Sequence, residues 1–142
     1  MIRKYKEEEI LVLVAIWEKS SAIAHPFLDN DFTKMVKTAM TDMYLPNSET
    51  WVFEEKNEII GFISMLDNEI GGLFVLPNHH SKGIGSLLLK HISQFHNELE
   101  VEVFDENKIG KPFYIKKGFT LINDYLHEGT NQKVLRMKKH IT

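Results

Sequence analysis

Residues 73–89 read LFVLPNHHSKGIGSLLL, and this stretch decides how the rest of the chain is interpreted. The apolar residues before Pro77 predict the end of a strand, and helical spacing begins after Gly83 and Gly85. Glycine lets the backbone come close to a ligand. The unpaired N–H groups of the first helical turn point at one spot, which suits a phosphate or pyrophosphate group. The sequence therefore predicts an anion-binding loop between a strand and a helix.

The glycine pattern of this loop matches neither of two common phosphate-binding motifs. A Rossmann fingerprint requires a third glycine, but Leu88 stands at that position. A P-loop requires Gly-Lys-Ser/Thr, which is absent. A glycine-containing connection that merely begins a helix fits the loop about as well as an anion site does. The loop alone therefore does not identify a ligand.

The residues before the loop favour an antiparallel meander. The segments TWVFEE and EIIGFISML are rich in β-branched and aromatic residues. Turn signals at 56–57 and 67–68 divide residues 50–76 into three strands. Further upstream we expect a short strand at 2–5 and a second helix over 29–44. Between them, the acidic residues 7–9 precede an apolar run that we expect to continue as a helix into Ala22. A buried strand is the alternative for ILVLVAIW at 10–17.

The residues after the loop predict a helix over 83–95, a strand over 99–104 and a short helix over 112–117. A final hairpin is expected from strands at 121–126 and 133–137. The resulting order is β-α-α-β-β-β-α-β-α-β-β. This order indicates an α+β fold with a mixed, mostly antiparallel central sheet and helices on both faces.

Composition narrows the protein class. The 142 residues suit one domain over 1–142, and no linker or repeat divides them. The net charge of -3 gives no basis for binding nucleic acid. The absence of cysteine excludes disulfides and thiol nucleophiles. The charged start MIRKYKEEE and the short apolar runs predict a protein of the cytoplasm that contacts no membrane. The histidines show no metal-binding pattern, so no metal is expected.

Two segments after the loop help to identify the ligand that the loop would bind. Residues 103–107 read VFDEN, and residues 113–119 read FYIKKGF. Taken alone, Phe113 is better explained by core packing, and Tyr114 by an interfacial aromatic residue whose hydroxyl lies in water. Together with the loop, however, the two segments resemble the acyl-CoA-binding core of the GNAT superfamily of N-acetyltransferases. The motifs match over about 69–119, and the order of elements matches over nearly the whole chain. The chain departs from the family pattern at His80 (usually Gln or Arg), Ser81 (often Gly) and Gly110 (often Ala).

The resemblance implies acetyl-CoA as co-substrate and no metal. The pyrophosphate is expected on the backbone amides of 81–86. The pantetheine arm is expected in a gap between 73–76 and 101–104. An N–H near Val75 is expected to polarise the thioester carbonyl, and Asn107 to form a hydrogen bond with the arm. The cofactor-binding residues that the resemblance implies are Phe74, Val75, His80, Ser81, Lys82, Gly83, Ile84, Gly85, Ser86, Asn107 and Tyr114.

The resemblance also implies catalytic roles. Acetyl transfer to an amine requires a neutral amine, donors for the oxyanion and a proton for the departing thiolate. Tyr114 is the expected acid. Glu69 stands at the register of the glutamate that several members use as a base, although a solvated turn residue is an equal explanation. Glu102 is a second candidate for the base, and deprotonation through water would need no dedicated base.

His25, in AHPFL at 24–28, lies between the first two helices, where GNAT proteins build the acceptor pocket. It is expected to bind substrate or relay a proton, with an ordinary loop histidine as the alternative. The expected acceptor is a primary amine of a small molecule or a protein. A non-catalytic CoA-binding sensor and a nucleotide enzyme are alternative functions. A homodimer is expected from its general frequency alone.

Overall fold

Seven strands form one sheet in the computed structural model, which describes residues 1–142. The strands are β1 (Ile2–Lys4), β2 (Glu49–Glu55), β3 (Glu58–Leu66), β4 (Glu69–Val75), β5 (Glu98–Phe104), β6 (Thr120–His127) and β7 (Gln132–His140). Their order across the sheet is β1-β2-β3-β4-β5-β7-β6, and only the β4–β5 pair is parallel. The mixed, mostly antiparallel α+β sheet predicted from the sequence is confirmed.

Four α-helices accompany the sheet: α1 (Ile10–Ala24), α2 (Asn30–Ala39), α3 (Ile84–Ser93) and α4 (Gly110–Lys116). The segment ILVLVAIW is therefore helical, and the strand alternative for it is wrong. The predicted second helix is α-helical only to Ala39, and a π-helical turn over Met40–Tyr44 replaces its last part. Short 3₁₀ turns occupy Glu7–Glu9, Leu45–Asn47 and Pro77–His79. None of the helices is both long and apolar enough to cross a membrane.

The two faces of the sheet have different coverings. One face packs against α3 in a core that includes Ile63, Leu88, Ile92 and Val101. The other face packs against α1 through a second core, with residues such as Leu13, Val14, Val52 and Phe62. Side chains alternate along a strand, so the glutamates at 98, 100 and 102 lie on the face of β5 opposite to α3.

The sheet opens between its two central strands. β4 and β5 pair only at Glu69–Glu100 and Ile70–Val101. Beyond that point β4 continues against β3, and β5 continues against β7. A gap therefore separates the last residues of β4 from the last residues of β5. This is the gap that the family resemblance implies.

Candidate active site

A cleft of about 430 Å³ occupies the open end of this gap. Its volume is in the range of small-molecule sites. The elements around it are the end of β4, the loop before α3, the first turn of α3, the segment from β5 into α4, and α1. The lining residues are Ser20, Ala24, Leu73, Phe74, Val75, His79, His80, Ser81, Gly83, Ile84, Gly85, Ser86, Asn107, Ile109, Gly110, Phe113 and Tyr114.

The loop before α3 presents backbone donors to the cleft. Ser81 and Gly83 adopt left-handed conformations, with φ of 68° and 80°. Ser81 thus takes a conformation that glycine adopts more easily, at a position where the family often has glycine. The first helical bond of α3 runs from Leu87 N–H to Gly83 O, so the preceding amides lack intrahelical partners. These amides face a cleft that is suited to an anion.

The end of β4 presents a backbone edge to the gap. Leu76 N–H donates to Ile60 O at 2.8 Å. In an antiparallel pair such bonds alternate, so the polar backbone groups of Leu73 and Val75 turn away from β3 and toward the gap. The Val75 carbonyl already accepts from Ser20 Oγ at 2.6 Å and from His80 Nε2 at 2.9 Å. The N–H groups of Leu73 and Val75 therefore remain the donors of this edge.

Asn107 closes the opposite side of the cleft and is 7% exposed. Its Oδ1 accepts from Ile109 N–H at 3.0 Å and from Gly110 N–H at 2.8 Å, which caps the start of α4. Its Nδ2 lies 3.2 Å from His25 Nε2. The side chain is thus held by both α4 and the residue that follows α1.

Tyr114 lies on α4 and is buried, with 6% of the residue exposed. The ring contacts Phe113 and Phe119 edge-on. Burial raises the pKa of the Tyr114 phenol well above its usual range, so the hydroxyl is protonated at neutral pH. Tyr114 therefore brings a proton donor to the wall of the cleft.

A charged cluster lies at the closed end of the gap. The guanidinium of Arg136 is 2.7 Å from Glu100, 3.4 Å from Glu102 and 3.5 Å from Glu69. Three carboxylates against one cation leave this cluster with a net negative charge. Burial and then the charge of Glu69 raise the pKa of the neighbouring Tyr44 to about 12.

Most of the predicted site residues line the cleft, but four do not. Glu69 and Glu102 lie in the cluster at the closed end. Lys82 is exposed, with Nζ 3.2 Å from His79 Nδ1. His25 lies behind Asn107 and does not line the cleft. Their predicted roles stay predictions.

Several residues of the cleft were not predicted from the sequence. Ser20 and Ala24 are one helical turn apart on α1, a spacing that indicates a shared face but not what the face covers. Ile109 and Phe113 come from the start of α4, and apolar residues there are ordinary core candidates. Phe113 belongs to the FYIKKGF segment that carries the family resemblance, but no local signal distinguished the other three from packing residues.

Comparison with known proteins identifies a family. Residues 46–121 match the model of the acetyltransferase (GNAT) domain. The chain is 30% identical over 124 residues to the peptidyl-lysine N-acetyltransferase YiaC of Escherichia coli (strain K12), covering 87% of this chain and 85% of that protein. It is 31% identical over 119 residues to the peptidyl-lysine N-acetyltransferase YjaB of Salmonella typhimurium, covering 83% and 81% of the two chains.

Solved structures agree with this family. The solution structure of apo-form YjaB from Escherichia coli superposes with a TM-score of 0.87 at 27% identity, covering 97% of this chain and 95% of the other. The PaiA N-acetyltransferase of Thermoplasma acidophilum, solved with coenzyme A, has the same fold, with a TM-score of 0.81 at 20% identity and coverage of 99% and 98%. The resemblance seen in the sequence is confirmed, and the chain belongs to the GNAT family of N-acetyltransferases.

Proposed function

We propose that this enzyme transfers the acetyl group of acetyl-CoA directly to a lysine side chain of a protein or peptide. One observation carries the proposal: a single cleft combines an anion-binding helix start, an open strand edge and a buried phenol. The curated relatives are named peptidyl-lysine N-acetyltransferases, which supports the acceptor class.

The cleft suits the parts of acetyl-CoA in order. The diphosphate would accept from the amides of residues 81–86, which include those without helical partners. The pantetheine arm would bond the N–H of Val75, the edge donor nearer to that loop, as an added strand. Asn107 keeps one Nδ2 hydrogen for the arm, because the other is directed at His25. Exposed Lys82 would approach the nucleotide phosphates.

The chemistry follows from what faces the thioester. The amine nitrogen attacks the carbonyl carbon, a C–N bond forms and the C–S bond breaks. The N–H of Leu73, the edge donor farther from the diphosphate loop, stabilises the oxygen that becomes negative. Tyr114 gives its proton to the departing sulfur and recovers one from solvent. The amide product releases the proton that the attacking nitrogen carried.

The acceptor would approach from the face of β5 that carries Glu100 and Glu102, because α3 and its core close the other face. The negative cluster around Arg136 attracts an ammonium group. We propose Glu69 as the group that takes the proton from this ammonium, directly or through water. The predicted contact of His25 with the acceptor is a separate hypothesis, and its ring stands 5.4 Å from that of Phe104 on β5.

The test is an assay of thiol release with three acceptors: a lysine-containing peptide, the same peptide with arginine in place of lysine, and a small diamine. We expect thiol release and peptide acetylation with the lysine peptide only. Release with the diamine but not the peptide would change the acceptor class. Binding of coenzyme A in calorimetry without release from any acceptor would favour the sensor alternative and overturn the proposal.

A further inference from the structure

We propose that His25 is a positioning residue, which orients Asn107 and thereby couples the end of α1 to the start of α4. The inference rests on the proposed function only in its choice of coenzyme A as the ligand whose affinity reports this coupling. The two residues are 82 positions apart in the sequence and meet through their side chains.

The hydrogen bonds fix the state of both side chains. Asn107 Oδ1 is identified as the acceptor by the two backbone N–H groups that it receives, at Ile109 and Gly110. The group next to His25 is therefore the Nδ2 donor, and His25 Nε2 must be unprotonated to accept from it. The proton of the neutral ring then sits on Nδ1, where it donates to Ser21 Oγ at 2.8 Å.

The residues around His25 hold its ring in place and in the neutral state. Phe27 and Phe104 contact the ring edge-on, with centroids 5.8 Å and 5.4 Å away. Burial lowers the pKa of His25 to about 4, so the neutral ring that the hydrogen bonds require is the form present at neutral pH. Both ring nitrogens are engaged with protein groups, and the ring does not line the cleft.

Gly110 supplies a second, independent observation. A Cβ at this position would lie 2.6 Å from Asn107 Nδ2 and 3.2 Å from a methyl of Val103. An alanine here would push the Asn107 amide away from its present place. The glycine that replaces the alanine common in the family therefore leaves the space in which Asn107 reaches His25.

The contacts of Asn107 fix the direction of the one hydrogen-bond donor that it can offer to a ligand in the cleft. With Oδ1 held by α4 and one Nδ2 hydrogen held by His25, the remaining Nδ2 hydrogen has a single orientation. Without His25 the amide loses one of its three anchors, and the start of α4 loses a fixed cap. A hydrogen bond of this kind contributes about 1 kcal/mol, which corresponds to about a fivefold change in affinity.

Four variants test the coupling. His25→Phe keeps an aromatic ring but removes both nitrogens, and His25→Gln restores an acceptor close to the position of Nε2. Gly110→Ala displaces Asn107 directly. His127→Phe is the matched control, because His127 contacts the same Phe104 ring at 6.0 Å and bonds to Thr130 instead of Asn107.

Three experiments are made on each variant. Calorimetry gives the Kd of coenzyme A, kinetics give kcat and the KM for acetyl-CoA, and hydrogen exchange is followed at the amides of Ile109 and Gly110. We expect His25→Phe and Gly110→Ala to raise the Kd and the KM for acetyl-CoA about fivefold and to accelerate exchange at both amides. His25→Gln and His127→Phe should stay within twofold of the parent protein.

The coupling is overturned if His25→Phe leaves the exchange at both amides unchanged, if His25→Gln fails to restore it, or if His127→Phe has the same effect. A fall in kcat at unchanged KM for acetyl-CoA would also overturn it, in favour of acceptor chemistry at His25. If the parent protein does not bind coenzyme A, the proposed function fails, and the exchange data still decide the coupling. Should His25→Phe not fold, Gly110→Ala and His25→Gln give the answer.

Discussion

Replacing Tyr114 with phenylalanine removes one oxygen atom and leaves the buried ring in place. The ring keeps its contacts with Phe113 and Phe119, and no hydrogen bond within the protein involves the hydroxyl. We therefore expect the free energy of unfolding to change by less than about 1 kcal/mol. The Kd of coenzyme A should stay within about twofold, because the diphosphate and pantetheine contacts proposed above do not use this oxygen.

The effect on turnover should be much larger. A positioned general acid contributes about 10²–10⁴ in rate, so we expect kcat to fall at least about 100-fold, which is a loss of roughly 2.7 kcal/mol in transition-state stabilisation. The measurement is thiol release at saturating acetyl-CoA and lysine peptide, with calorimetry and thermal melting on the same samples.

Tyr5→Phe is the matched control for this prediction. It also removes a tyrosine oxygen, which bonds the Leu45 carbonyl at 3.1 Å outside the cleft. Its kcat should equal that of the parent protein. If Tyr114→Phe keeps more than half of the parent kcat while binding coenzyme A normally, Tyr114 is not the acid, and the proposed route for the sulfur proton is wrong.

Three further predictions concern the base, the pH dependence and the loop. Glu69→Gln should lower kcat at least tenfold with an unchanged Kd for coenzyme A, and a loss below twofold in the thiol-release assay would remove Glu69 from the chemistry. The kcat/KM for a lysine peptide should rise with pH between 7 and 9, because the fraction of neutral amine grows as the pH approaches the amine pKa of ~10.4. Burial raises the pKa of Tyr114, so its phenol stays protonated over this range. A maximum of kcat/KM below pH 8 would contradict this prediction. Gly83→Ala should lower the melting temperature, since its φ of 80° costs an L-residue about 1–2 kcal/mol. Gly85→Ala should weaken coenzyme A binding without altering the melting temperature, because its Cβ would meet Phe113 at an ordinary 3.5 Å. Equal melting temperatures for the two variants would refute the distinction.

The sequence predicted the elements whose signals are local. The hairpin at Lys56–Asn57 is an example: both residues adopt left-handed φ, as a two-residue turn between twisted strands requires. The glycine loop is another, because its glycines, its proline and the helix that follows lie within one short segment. The order of strands and helices followed from such signals, and the family resemblance agreed with it.

Features built from distant residues left no local signal. Arg136 gathers Glu69, Glu100 and Glu102 only because β4, β5 and β7 are neighbours in the folded sheet. The contribution of Ser20 depends on where α1 crosses the end of β4. Periodicity identifies the apolar face of a helix but not which strand that face meets.

The π-helical turn over Met40–Tyr44 was missed for a related reason. The apolar spacing of residues 32–43 is helical throughout, so it predicts one continuous helix. The structure instead widens the last turn and places Tyr44 against Gly71. A Cβ on Gly71 would overlap the Tyr44 hydroxyl, so this contact depends on a glycine 27 residues further along the chain.

A crystal structure of the chain with acetyl-CoA tests the central claim most directly. We expect diphosphate oxygens at hydrogen-bond distance, about 3 Å, from amides of residues 81–86 and the sulfur beside the Tyr114 hydroxyl. A ligand bound outside the gap between β4 and β5, or a Tyr114 hydroxyl directed away from the sulfur, would contradict this claim.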